Sequence, residues 1–145
     1  MSPFEKEGAN MDFNHLSPYI RVAMNSFVPP PWAVHERVIF DYELLYVKAG
    51  EAIVTVEDEV YTGYPGDIFL FKPKQRHSIR PMNHCSFHQP HIHFDLFYES
   101  NSADVKVSFK PLDKMSEEEM KLFREDATCN PHMSLPNKFN LRNTE

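Results

Sequence analysis

Residues 42–77 read YELLYVKAGEAIVTVEDEVYTGYPGDIFLFKPKQRH, a series of short apolar runs cut by turn chemistry. Ala49-Gly50, Glu57-Asp58 and Pro65-Gly66 fall between the runs, and each contains a residue type suited to reversing the backbone. A chain that must turn this often, with no helix between its runs, is confined to antiparallel strands that close as a sandwich or barrel.

Extending the same reading places strands at 19–28, 34–40, 43–48, 51–56, 59–62, 68–71, 77–80, 91–98 and 104–110. Pro29, Pro30 and Pro31 end the first of these, because three prolines offer no amide hydrogen to a ladder. One helix is predicted, from Ser116 to about residue 126. Ser116 and Glu119 form a capping box, Glu117 and Glu118 suit the positive end of the dipole, and Met120 with Phe123 supplies an apolar stripe. The chain divides into a polar, mobile arm at 1–17, a barrel at 18–112, and a helix with an extended polar tail at 113–145.

Composition narrows the class of function. At 145 residues the chain holds about one domain, and 41% apolar content provides for a single core. Twelve Phe, six Tyr and one Trp favour strands and stacking surfaces. A formal charge of −6 argues against this segment gripping nucleic acid, which needs a concentrated positive field. No run approaches the roughly 18 apolar residues of a membrane span, and MSPFEKEGANMDF lacks the pattern of a secretory signal. Cys85 and Cys129 share no CxxC spacing. Reduced thiols in a cytoplasmic protein are expected, with a disulfide between the two as the alternative.

Glu43 is followed after six intervening residues by Gly50, a Pro-Gly-Asp turn opens the run ending at Phe71, and His77 follows Gly66 by eleven positions. This spacing resembles the small β-barrels called cupins, and within them the effector-sensing domain of AraC/XylS-type transcription regulators. The phrases ELLYVKAGEA, PGDIFLFKPKQRHS and HIHFDLFY carry the same likeness. It covers about residues 18–110. It implies an all-β, cupin-type double-stranded β-helix, a jelly-roll barrel, with a short C-terminal α-helix.

In cupins a first motif supplies two histidines and a glutamate, a second supplies another histidine, and together they hold a metal. Glu43 and Gly50 match the first motif; Gly66, Asp67, Pro73 and His77 match the second. Glu36, Arg37, Val38 and Ile39 stand where the paired histidines belong, and His35 is out of register. The resemblance with this departure therefore implies no cofactor and no enzyme. The alternative is one divalent metal on Glu43, His77 and His93, serving a stand-alone cupin enzyme such as a sugar isomerase or dioxygenase.

The candidate ligand-binding residues are Trp32, His35, Arg37, Glu43, Tyr46, His77 and His93. Trp32 and Tyr46 offer faces for a sugar ring, and Arg37 offers forked donors for hydroxyls or a carboxylate. The plainer readings put Trp32 on the barrel exterior, Arg37 on a surface acid, and His77 and His93 in hydrogen bonds within a polar barrel. His84 and His88 then belong to a solvated loop. Glu43 either points to solvent or is buried, where it needs a partner. The resemblance further implies a sugar or related effector, a homodimer, and DNA contact only through helix-turn-helix units that this chain does not contain. A protein cut before its DNA-binding half is expected, with a stand-alone cupin as the alternative.

Overall fold

Period-two alternation sets which side chains of each strand turn inward, and two facing sheets result. The structure, a computed structural model, describes residues 13–129 and 134–140. Its strands are β1 (Tyr19–Val28), β2 (Val34–Arg37), β3 (Tyr42–Tyr46), β4 (Ala52–Val56), β5 (Glu59–Gly63), β6 (Asp67–Phe71), β7 (His77–Pro81), β8 (Phe87–Asp95) and β9 (Lys138–Asn140). They form a five-stranded sheet, β1-β8-β3-β6-β9, and a four-stranded sheet, β2-β7-β4-β5, with antiparallel pairing throughout. Placing β8 between β1 and β3, and β7 between β2 and β4, gives the jelly-roll order expected for an all-β barrel.

The inward residues of both sheets meet in one core. Leu45, Phe69, Phe71 and Phe87 come from the larger sheet, and Val54, Val56 and Ile79 from the smaller. Each such side chain contributes about 1.5–3 kcal/mol on burial. At the Pro65-Gly66 turn, Gly66 takes φ 98°, and the buried Asp67 carboxylate accepts from the amide of Tyr64 at 2.8 Å.

Four expectations are revised. Residues 104–110 are not a strand. Val105 and Ser108 are buried, three residues apart, while Phe109 is 75% exposed, and the segment's described backbone bond to the barrel is Val38 N–H to Lys110 O. The alternation of Val105, Val107 and Phe109 does not follow burial here, and a strand also needs a neighbour to bond.

The helix, α1, spans only Glu117–Met120, although its capping box is formed in both directions. Beyond it Phe123 packs on Phe40 with ring centroids 5.0 Å apart, and the Arg124 guanidinium is drawn onto Asp95. These tertiary contacts end the helix early. β8 begins at Phe87 rather than at 91, which takes His88 out of a loop: its ring stacks on Phe27 at 4.0 Å and bonds Asn25.

The polar tail supplies β9, which pairs with the free edge of β6 and is tied down by Asn137 to Leu70 O and Lys138 Nζ to Thr62 O. The arm expected at 1–17 lies outside the described residues up to 12; Phe13–His15 form a 3-10 turn and Ser17 bridges to Phe97. Cys85 is an exposed free thiol, while the Cys129 side chain lies outside the described residues. Among the described residues no helix is long and apolar enough to cross a membrane.

Candidate functional site

A bulge in β2 creates the site. Val34 pairs with Ile79 and Arg37 with His77, so three steps on β2 oppose two on β7. The extra residue turns both Val34 and Arg37 inward and leaves His35 and Glu36 exposed. On the other sheet, Glu43 pairs with His93 on one side and Phe71 on the other, all on the inner face. Arg37, Glu43, His77 and His93 are thereby brought together, each almost wholly buried.

Their contacts are mutual. Arg37 Nη2 donates to Glu43 Oε1 at 2.9 Å, Nε donates to His77 Nε2 at 3.1 Å, and Nη1 donates to Ser108 O at 3.1 Å. His77 Nδ1 faces Gln75 O at 3.1 Å, so the proton sits on Nδ1 and Nε2 is free to accept from Arg37. The His77 ring stacks on Phe71 at 4.2 Å. Burial, reinforced by the Arg37 charge, pushes the His77 imidazole down to about 4, so it is neutral at pH 7. Burial pushes the Glu43 carboxyl up, but the Arg37 guanidinium and surrounding imidazoles outweigh it and hold the group below its ordinary value. His93 Nε2 lies 3.8 Å from Glu43 Oε1, and His93 Nδ1 lies 3.4 Å from Asp41 Oδ1.

A second buried set adjoins this one and escaped the sequence reading. Asp95 accepts from Arg21, Arg124 and Ser102, while Arg21 also donates to Asp41 at 2.6 Å. Burial raises the Asp95 carboxyl, and these hydrogen bonds more than offset it, leaving the group below its ordinary value. The set ties β1, β8 and the residue before β3 to the segment after α1. Its one sequence signal is that Asp95 continues the inward series of His91 and His93 in HIHFD.

Three candidates stand outside the cluster. Tyr46 is 40% exposed, because alternation along β3 turns Glu43 and Leu45 in and Leu44 and Tyr46 out. It lines an open depression of about 650 Å³ on the outer face of the larger sheet, with Leu44, Ile68 and Ile92. Trp32 is 69% exposed in the connection between β1 and β2, and the bulge puts His35 in solvent.

The positions that carry a metal in cupins do not fit one here. The Arg37 guanidinium already lies between Glu43 Oε1 and His77 Nε2, a resident cation where an imidazole would be a ligand. The donor set expected as the alternative, Glu43, His77 and His93, is therefore not the one the geometry favours. Ligand atoms of Glu43, His91 and His93 do lie within 4.8 Å of one another. Gln89 Oε1, on the same inner face, is buried without a hydrogen-bond partner, which costs about 1–3 kcal/mol unless something donates to it.

The family model for the AraC-like ligand binding domain matches residues 24–119. No curated protein matches the chain. Similar solved structures include the plu4264 protein of Photorhabdus luminescens, at 22% identity, covering 65% of this chain and 88% of that one, with a TM-score of 0.45. A Cupin 2 conserved barrel domain protein of Salinispora arenicola has 18% identity, coverage of 72% and 92%, and a TM-score of 0.44. Oxalate decarboxylase of Bacillus subtilis has 16% identity, coverage of 90% and 41%, and a TM-score of 0.45. The chain thus spans less than half the length of that decarboxylase.

Proposed function

The chain belongs to the AraC-like ligand binding domain family, and from that premise we propose that it is the effector-sensing and dimerisation domain of a transcription regulator. Its fold is that of the all-β cupin barrels. The effector is a hydroxyl-rich metabolite, a sugar or a close relative, taken into the barrel beside Arg37, Glu43, His77 and His93.

The observation that carries this reading is the buried polar cluster. A guanidinium, a carboxylate and imidazoles held in one place offer donors and acceptors together, which suits hydroxyl groups better than a lone anion or cation. Arg37 has five N–H donors, of which one each goes to His77, Ser108 and Glu43, so the others serve a ligand. Phe71, stacked on His77, closes the cluster on its apolar side. Trp32, His35 and Tyr46 have no part in this site.

The reading is of a binding module rather than an enzyme, acting in the cytoplasm as a homodimer. Any DNA contact belongs to a helix-turn-helix unit of the parent protein, since a domain of charge −6 repels phosphate.

The test is a thermal-shift screen of sugars, polyols and sugar acids, because a ligand that binds only the folded state raises its stability. A ligand found this way is expected to bind at least about tenfold more weakly to Glu43→Gln and to His93→Gln. Unchanged affinity in both variants overturns the site. A screen in which no such compound binds at about 10 mM overturns the ligand class.

A further inference from the structure

Glu43 and His93 are cross-strand partners on β3 and β8, and Leu45 and His91 are the next pair on the same inner face. That register brings two imidazoles from β8 to a carboxylate on β3, with their ligand atoms within 4.8 Å of one another. Two of the imidazoles that face Glu43 thus come from β8 and not from the stretch before it.

Both rings are held from behind. His91 Nδ1 faces Gln89 O at 3.0 Å and Ser26 Oγ at 3.1 Å. His93 Nδ1 faces Asp41 Oδ1, and Asp41 is itself anchored by Arg21. Such outer partners fix the tautomer and leave Nε2 of each ring as the ligand atom, as is usual for metal-binding histidines. An independent observation points the same way. Gln89 precedes His91 by two residues on the same face, and its side chain is buried with Nε2 donating to Ser26 and Oε1 left without a partner.

We propose that Glu43, His91 and His93 bind one divalent first-row transition metal, with Gln89 Oε1 accepting a hydrogen bond from a water on the ion. Two imidazoles and one carboxylate suit Fe(II), Co(II) or Zn(II) and leave coordination positions open. Ligand atoms about 2.0–2.1 Å from a tetrahedral ion stand roughly 3.3 Å apart, so loading draws the three donors inward by at most about 1.5 Å. His91 is only half-buried and provides the route from solvent. The Arg37 guanidinium, which donates to Glu43 Oε1 at 2.9 Å as well as to His77 and Ser108, opposes the ion and limits its affinity.

The site shares Glu43 and His93 with the effector reading, so the test uses metal alone. The full chain is stripped with chelator and titrated with Co(II) in the absence of any sugar, and Zn(II) is followed by thermal shift. One equivalent per chain is expected, with visible ligand-field bands and a raised melting temperature. His91→Ala is expected to lose at least about tenfold in affinity, while His77→Ala keeps the one equivalent. Arg37→Gln, where it folds, is expected to tighten binding, because it removes the opposing charge; a surface site would not respond. Absence of binding up to about 100 µM Co(II) overturns the proposal. Full binding by His91→Ala also overturns it, by putting the ion on exposed histidines such as His84 or His35.

Discussion

The charge state of His77 follows from its surroundings alone. Burial first, and then the Arg37 charge, push the imidazole from its ordinary 6.5 to about 4. Because the folded pKa is depressed, the unfolded chain takes up this proton first as pH falls. The contribution of neutral His77 is complete above about pH 6.5 and is lost progressively toward pH 4, a change of about 3 kcal/mol. Glu43 and Asp95, both held below their ordinary values, give up stability only at still lower pH. Urea unfolding of the parent is therefore expected to weaken between pH 7 and pH 4.5, and His77→Gln to flatten that slope. A variant with the same slope as the parent would place the acid sensitivity on another group. The sequence marked His77 as a site residue, but its neutrality depends on Arg37 and Phe71, which reach it only through the fold.

At the scale of elements, turns carry more of the specification than strands do. Gly50, between β3 and β4, takes φ 81°, and a Cβ there would lie 2.4 Å from Ser86 O and 3.2 Å from Phe87 Cα. The chain entering β8 passes directly against this turn, joined by the bridge between Ala49 and His88. Gly50→Ala is expected to destabilise by about 1–3 kcal/mol, combining the left-handed backbone with a clash against main chain that has little room to shift. Chemical denaturation measures it, and a loss under about 0.5 kcal/mol would show that β8 yields easily. The capping box of α1 was legible because it is local, four residues long and formed from side chains adjacent in sequence. The early end of α1 was not, because Phe123 and Arg124 leave the helix for Phe40 and Asp95, which lie far away in sequence.

For the whole molecule, the family premise makes the dimer the expected state in solution. Sedimentation at micromolar concentration is expected to give a species of twice the 17.0 kDa chain mass. A monomer over about a hundredfold range of concentration would defeat it. α1, with four residues, offers little surface for this pairing. The outer face of the five-stranded sheet offers more, with Ile20, Phe27 and Tyr46 all more than a third exposed.

By itself the sequence determined the all-β class, seven of the nine strand positions to within a few residues, and the turns at Gly50 and Gly66. These depend on alternation and on local backbone preference, which neighbouring residues carry. It also named Arg37, Glu43, His77 and His93. Only the tertiary structure decided which of the named residues share a site. The β2 bulge turns Arg37 in and His35 out, alternation on β3 turns Tyr46 out, and β8 brings His91 to Glu43 across 48 positions of sequence. The same is true of β9, whose three residues become a strand because β6 has a free edge to bond. Register between strands is a property of pairs, and a pair distant in the chain leaves no trace in the spacing of either member.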